Sequence, residues 1–244
     1  MSKKDWFEDW FDTSYYHLLY QNRDEREAER FIQKLMVHLN LPASSKLLDL
    51  ACGKGRHAKF LSDLGHDVLG VDLSQNSISN ARQWSNEHLR FETHDMRELI
   101  ENEQFDAIFN LFTSFGYFDH ESENQRVCSA ISKMLKPNAV LVIDFMNAAK
   151  VVRQLVPNEL KMLDGIEFNI TRHCDEKHIF KNIEVIDGDK KFHFMERVQA
   201  LKLADFRSLL ESNFDIVNTF GSYDLTPFEE QSSDRLILIA QSKK

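Results

Sequence analysis

Three acids and two glycines have the residue types and spacing for ligand chemistry: Asp49, Asp72, Asp95, Gly53 and Gly55. The glycines sit in the turn Cys52-Gly53-Lys54-Gly55-Arg56, where glycine lets the backbone approach a ligand closely and adopt left-handed angles. The helix that starts there presents free N–H groups to an anion. Asp72, at the end of the next apolar run, can accept hydrogen bonds from two ribose hydroxyls. Asp49, four positions ahead of Gly53, is a carboxylate that repels a pyrophosphate and suits a cationic group.

Each of these residues needs an element behind it. Leu47, Leu48, Leu50 and Ala51 form the short apolar run of a buried parallel strand. Past the glycine turn, Ala58, Leu61 and Leu64 recur at helical spacing, and Gly65 stands at a closing C′ position. A second strand, Val68 to Val71, delivers Asp72. Strand, glycine turn, helix, strand and acid make the nucleotide-binding half of a doubly wound α/β fold. Gly53-x-Gly55-x-x-Ala58, with Asp72 about 20 residues on, also satisfies the dinucleotide fingerprint and keeps NAD as a competing ligand. Asp49 separates the two readings, because its charge suits an ammonium and a sulfonium rather than a pyrophosphate.

The segment Asp49-Leu50-Ala51-Cys52-Gly53-Lys54-Gly55-Arg56 resembles motif I of the class I S-adenosylmethionine-dependent methyltransferases. Gly70-Val71-Asp72-Leu73-Ser74 resembles the acidic segment that follows it in that family. The resemblance implies a Rossmann-like seven-stranded sheet, with S-adenosyl-L-methionine as cofactor and S-adenosyl-L-homocysteine as product. It also implies residue roles. Asp49, Gly53 and Gly55 would hold the methionine portion, with Arg56 as a carboxylate partner and Asn110 near the ammonium. Asp72 would bind the ribose hydroxyls, and Asp95 and Met96 the adenine; Ala51 and Leu73 complete the cofactor-binding set. For Asp95 a plainer role stands beside this one, capping the turn before a helix over 97–102.

The remaining chain supplies the frame. Ala28, Phe31, Ile32, Leu35, Met36 and Leu39 give a structural helix over 24–40. Ser74 is a suitable N-cap for a helix carrying Ile78 and Ala81, and a short strand with Leu89 and Phe91 leads to Asp95. Strand four, Phe105 to Leu111, opens into Phe112-Thr113-Ser114-Phe115-Gly116-Tyr117-Phe118. In the resembled family that loop lies beside the transferable methyl, so Thr113 and Ser114 are substrate candidates and the aromatics either wall a pocket or fill the core. A helix over 122–136 and a strand Val140 to Phe145 follow; Asp144 on that strand either touches substrate or is a satisfied buried acid.

Residues 1–23 are rich in aromatics and read as a cap, in which Tyr15, Tyr16, Tyr20 and Arg23 face the ligand, or as an amphipathic segment packed on the core. Residues 148–201 read as a β-rich insertion, a three-stranded antiparallel meander that would serve as a lid or substrate platform. The core would then comprise 24–147 and 202–244, closing with strands Phe214–Ser222 and Leu236–Gln241. Candidate bases are His57, His94, His120 and the insertion's His173, His178 and His193, with nothing to choose among them. The insertion histidines lack a metal-ligand spacing, and no metal is expected.

The composition limits the partners. An apolar fraction of 42% supports a core, and a net charge of −9 argues against bulk nucleic-acid binding, DNA included. The apolar runs fall short of the roughly 18 residues of a membrane span, and the N-terminus lacks the apolar stretch of a secretory signal. Three scattered cysteines fit a reducing cytoplasm. The expected activity is methyl transfer to an oxygen or nitrogen nucleophile of a small molecule. RNA or protein modification, and cofactor binding without catalysis, are the alternatives; acceptor and oligomeric state are left open.

Overall fold

The computed structural model describes residues 10–20 and 25–243. Arg23, and the aromatic residues Trp6 and Phe7, lie outside the described residues. Seven strands form one sheet: β1 (Lys46–Leu50), β2 (Asp67–Asp72), β3 (Leu89–Thr93), β4 (Phe105–Asn110), β5 (Leu135–Met146), β10 (Phe214–Phe220) and β11 (Arg235–Ser242). Their order is β10-β11-β5-β4-β1-β2-β3. Only β11 runs antiparallel to its neighbours.

The alternation of strand side chains divides the apolar residues between the two faces of the sheet. Leu47 and Val68 turn to one face, which is covered by α2 (Glu25–Leu39), α3 (Arg56–Asp63) and α4 (Gln75–Ala81) through Phe31, Leu35, Ala58, Leu61 and Ile78. Leu48 and Leu69 turn to the other, covered by α5 (Glu121–Met134) and α7 (Leu203–Leu210) through Val127, Ile131, Phe206 and Leu210. β1 is buried on both faces, as its unbroken apolar run requires. The strand order reverses between β1 and β4, which are paired at Asp49↔Phe109. The crevice outside their carboxyl ends is where open α/β sheets bind ligands.

A second, antiparallel sheet lies between α6 (Ala148–Arg153) and α7, in the order β6-β7-β8-β9 (Asn158–Leu163, Ile166–Cys174, His178–Asp187, Lys190–Gln199). It has four strands where the sequence suggested three. β6 was hidden because its alternation is inverted: Leu160 and Met162 face solvent while Glu159 and Lys161 are half-buried. The turn Asp164-Gly165, with φ of 49° and 81°, then makes the hairpin. Phe168, Ile170, Ile183 and Val185 form an apolar face covered by Trp10, Leu19 and the aromatics of α1 (Ser14–Leu19).

Two other expectations shift. The helix over 122–136 ends at Met134, and β5 starts at once at Leu135, paired with Phe105; the register then shifts before Ala107 meets Val140, across a stretch in which Pro137 has no N–H to donate. Residues 97–102 form turns rather than a helix. Among the described residues no helix is long and apolar enough to cross a membrane.

Candidate functional site

A cavity of about 480 Å3 opens at the carboxyl ends of β1, β2 and β4. Its floor is Asp49, Ala51, Gly53 and Arg56; Asp72, Leu73, Asp95 and Met96 form one wall; Phe112, Thr113 and Ser114 form the other. Tyr16, Tyr20 and Phe11 close it from the N-terminal segment. Twelve of the residues expected to meet cofactor or substrate thus border one space.

The glycine turn is built by backbone geometry. Gly55 has φ +80°, and a Cβ there would sit 2.5 Å from the Phe91 ring. Gly53 has φ +56° with nothing within 4 Å of a built Cβ, so its side is open. Three non-glycine residues that border the cavity also have left-handed backbones: Ala51 at 65°, Phe112 at 57° and Thr113 at 63°. Such conformations cost of order 1–3 kcal/mol each and persist where neighbours over-determine them. Here the neighbours are visible. Asp144 Oδ2 accepts the Phe112 N–H at 2.9 Å, and the Asp144 carbonyl accepts the Thr113 N–H at 2.9 Å.

Asp49 has the most unusual electrostatics. It is 1% exposed, and its Oδ2 has no hydrogen-bond partner among the described residues. Burial pushes its carboxyl up to about 7; the Ala58 N–H and Arg56 oppose the shift, while Asp72 adds to it. A buried carboxylate with an unused oxygen at a cavity wall asks for a cation or a donor. The residues present therefore fit a ligand with a cationic centre. Asp72 is also raised by burial, although it accepts the N–H groups of Gly53 and Ser74, each at 2.8 Å. A carboxylate offers about four lone-pair sites, so room remains for two ligand hydroxyls.

Asp95 borders the cavity, but its oxygens are gripped by Arg97 through Nε at 3.0 Å and Nη2 at 2.6 Å. Burial alone would raise its carboxyl; Arg97 outweighs that and holds it below the usual range. Arg97 also bonds Glu123 at 2.7 Å, tying this turn to α5.

Three expected contacts do not border the cavity: Gly55, whose Cβ side is turned against Phe91, and two longer side chains. Asn110 does not border the cavity: it is fully buried, donating to the Leu50 carbonyl at 3.0 Å, and so braces β4 against β1 behind the wall. Tyr15 points to the inserted sheet instead, with its hydroxyl on Asp187 at 2.9 Å and its ring against Phe192. Both look like site residues in sequence, and both are redirected by partners far along the chain. Asp144 is a satisfied buried acid, bonded to Arg235 Nε at 2.7 Å.

The candidate bases also separate. His57 and His94 border the cavity, His57 stacked on Phe112 at 4.6 Å and His94 bonded to the Glu98 carbonyl. His120 precedes α5, His173 stacks on Phe180, and His178 and His193 face Asp175 and Glu184. None of these four borders the cavity. No group of three His, Cys, Asp or Glu side chains is arranged for a metal among the described residues.

Sequence reading missed His17, Lys54, Tyr223 and Arg235. Burial, and next to it Lys54, hold His17 below the ordinary histidine value. Tyr223 and Arg235 border a second cavity of about 420 Å3 that adjoins the first, sharing Phe112, Thr113 and Tyr117. A signal for Arg235 existed: a buried strand acid, Asp144, requires a partner, and Arg235 opens the apolar strand that closes the chain.

Residues 47–138 match the family model described as a methyltransferase domain. The chain is 28% identical over 109 residues to a dTDP-3-amino-3,4,6-trideoxy-alpha-D-glucopyranose N,N-dimethyltransferase of Streptomyces venezuelae, covering 45% of this chain and 46% of that one. It is 28% identical to a glycine/sarcosine N-methyltransferase of Aphanothece halophytica, over 90% of this chain and 83% of the relative. With other curated relatives the match again spans about half their length, as with a ubiquinone biosynthesis O-methyltransferase of Rickettsia akari at 49%. Among solved structures, a S-adenosylmethionine-dependent methyltransferase from Clostridium acetobutylicum superposes with a TM-score of 0.79 at 22% identity, over 93% of this chain and 95% of that one.

Proposed function

We propose that this chain, whose residues 47–138 match a methyltransferase domain and whose fold is shared with S-adenosylmethionine-dependent methyltransferases, is a class I enzyme of that kind and moves the methyl group of S-adenosylmethionine to an oxygen or nitrogen nucleophile of a small molecule. The observation that carries the reading is Asp49: a buried carboxylate with an unused oxygen, at the strand-order reversal, beside Asp72 and the open side of Gly53. It provides the counter-charge that a cationic cofactor needs and a pyrophosphate would not tolerate. NAD is disfavoured for that reason.

When bound, S-adenosylmethionine supplies a methyl group already activated by its sulfonium. The protein's part is positioning and enclosure. In this reading Asp49, with the turn from Ala51 to Arg56, receives the methionine end. Asp72 and Leu73 meet the ribose, and Asp95 and Met96 the adenine. Tyr16 and Tyr20 cover the cavity, while Thr113 and Ser114 face the acceptor. The N-terminal segment and the inserted sheet act together as the cover, since Trp10 and Tyr20 both bond Glu196 of β9 at 2.7 Å. A neutral amine needs no strong base during transfer, whereas a hydroxyl does. His17, His57 and His94, all at the cavity wall, are the candidate proton acceptors.

The relatives that act on amino sugars, on glycine and sarcosine, and in ubiquinone biosynthesis support a small acceptor. The net charge of −9 disfavours RNA. The free cysteines agree with a cytoplasmic location.

Titration calorimetry with S-adenosylmethionine, S-adenosylhomocysteine and NAD tests the reading. Binding of the first two without the third supports it and opens acceptor screening with labelled methyl donor. Binding of NAD alone removes it.

A further inference from the structure

The second cavity is lined by the inner face of the inserted sheet on one side and by the core on the other. That face is apolar over Phe168, Ile170, Ile183 and Val185 and charged beyond them, where Glu159 and Lys161 of β6 adjoin a row across the other three strands: Arg172 pairs directly with Lys181, and Lys181 with Glu196. Like charges directly opposite in a sheet are destabilising. Arg172 and Lys181 nevertheless face each other with side chains only 20% and 14% exposed. Burial first, and then Arg172 and Lys161, hold Lys181 below the ordinary lysine value despite Glu196.

The neighbouring acids are already committed. Glu159 pairs with Arg172. Glu196 takes the Trp10 indole N–H and the Tyr20 hydroxyl as well as Lys181, which lies 3.6 Å away. From the core wall, Arg235 uses Nε on Asp144 at 2.7 Å and one Nη2 hydrogen on Thr113 at 3.0 Å. A guanidinium has five N–H donors, and the other three have no partner among the described residues. They form the fork that a planar carboxylate fits, on the same Thr113 that borders the donor cavity.

We infer that this second cavity seats the methyl acceptor and selects acceptors that carry a carboxylate, held by Arg235 together with Arg172 and Lys181. The carboxylate takes the unused Arg235 fork, beside Arg172 and Lys181, whose acids Glu159 and Glu196 are each shared with other donors. The assignment rests on the methyltransferase reading, because it takes the adjoining cavity as the seat of the methyl donor. A phosphate would be recognised by similar donors, but three partly neutralised cations suit a monoanion better than a dianion.

The test uses the full chain saturated with S-adenosylhomocysteine. It is titrated with small amino acids, with the corresponding amino-acid amides, and with inorganic phosphate, following heat or thermal shift. Saturable binding of the amino acids, at least tenfold tighter than of their amides, is expected. Arg172→Gln and Lys181→Gln should each weaken that binding at least tenfold while leaving S-adenosylhomocysteine affinity within twofold. Equal binding of acids and amides, binding of phosphate alone, no binding of any probe, or carboxylate binding insensitive to both substitutions would overturn the assignment. Failure to bind S-adenosylhomocysteine at the outset would instead remove the methyltransferase reading, so the two failures are distinct.

Discussion

Arg235 Nε donates to Asp144 Oδ1 across 2.7 Å, joining the first residue of β11 to the end of β5. Around this pair the loop after β4 is fixed: Asp144 holds the Phe112 and Thr113 N–H groups, and Arg235 holds the Thr113 hydroxyl. Two left-handed residues that wall both cavities are thus kept in place by one fully buried acid and its arginine.

Removing Asp144 should therefore do more than lose an ion pair. Asp144→Ala leaves a mostly buried guanidinium unpaired, and breaking such a pair costs about 3–5 kcal/mol. Asp144→Asn, which still accepts the Phe112 N–H, should lose less. Urea unfolding of both variants checks the order; equal stabilities would mean the loop is held by something else.

Asp49 gives the apoprotein a pH dependence of unusual sign. Its carboxyl is raised from 3.8 to about 7, so the folded state binds a proton that the unfolded state releases. Its contribution is fully present below pH 4 and is lost as pH rises through 7. At 1.36 kcal/mol per unit that is roughly 4 kcal/mol. Asp72 is shifted in the same direction and adds to the trend. Asp49→Asn should flatten the stability profile between pH 4 and 8 relative to the parent, as chemical denaturation at fixed pH would reveal.

On the proposed reading the same ionisation should govern cofactor binding. A cation binds the Asp49 carboxylate and not its acid form, so affinity for S-adenosylmethionine should rise from pH 5.5 to 8 and level off above the Asp49 midpoint. In Asp49→Asn the affinity should be weak and nearly independent of pH. A parent protein whose calorimetric affinity is flat over this range would take Asp49 away from the cationic centre.

Asp72→Ala should weaken cofactor binding by about 1.5–3 kcal/mol, the worth of hydrogen bonds to a charged acceptor. The substitution also frees the Gly53 N–H that Asp72 holds at 2.8 Å. Unchanged affinity in a folded variant, read by titration, would exclude Asp72 from the ribose.

The two turn glycines should respond differently to alanine. At Gly55 the new Cβ meets the Phe91 ring at 2.5 Å and adopts a left-handed backbone, so a loss of roughly 2–4 kcal/mol is expected. At Gly53 nothing lies within 4 Å, and only the backbone term of about 1–2 kcal/mol applies. Gly53→Ala should fold and bind cofactor poorly, while Gly55→Ala should melt earlier. Comparison of melting temperatures and affinities for the pair tests this.

Local pattern was enough for the sheet core and for half of the site. The unbroken apolar run of β1, the helical stripe of α2 and the glycine turn each have a period or residue type that few alternatives share, and Asp49, Asp72, Gly53 and Gly55 are fixed to that frame by short-range geometry. Asn110 and Tyr15 resisted the same logic. Position on a strand end or in an aromatic cluster says where a residue starts, and its side chain then follows partners such as Leu50 and Asp187.

What the sequence by itself determined is the order of elements and the acids at the strand ends, because strand period and turn chemistry act over a few residues. What only the tertiary structure decided is the second cavity. Arg172, Lys181, Thr113 and Arg235 come from four elements of the chain, and they converge because the inserted sheet packs over the core and β11 pairs antiparallel with β5. The inverted alternation of β6 and the inward charges of the row across β7 to β9 go against local hydrophobic patterning. Only the packing of one sheet over another gives those charges a cavity to face.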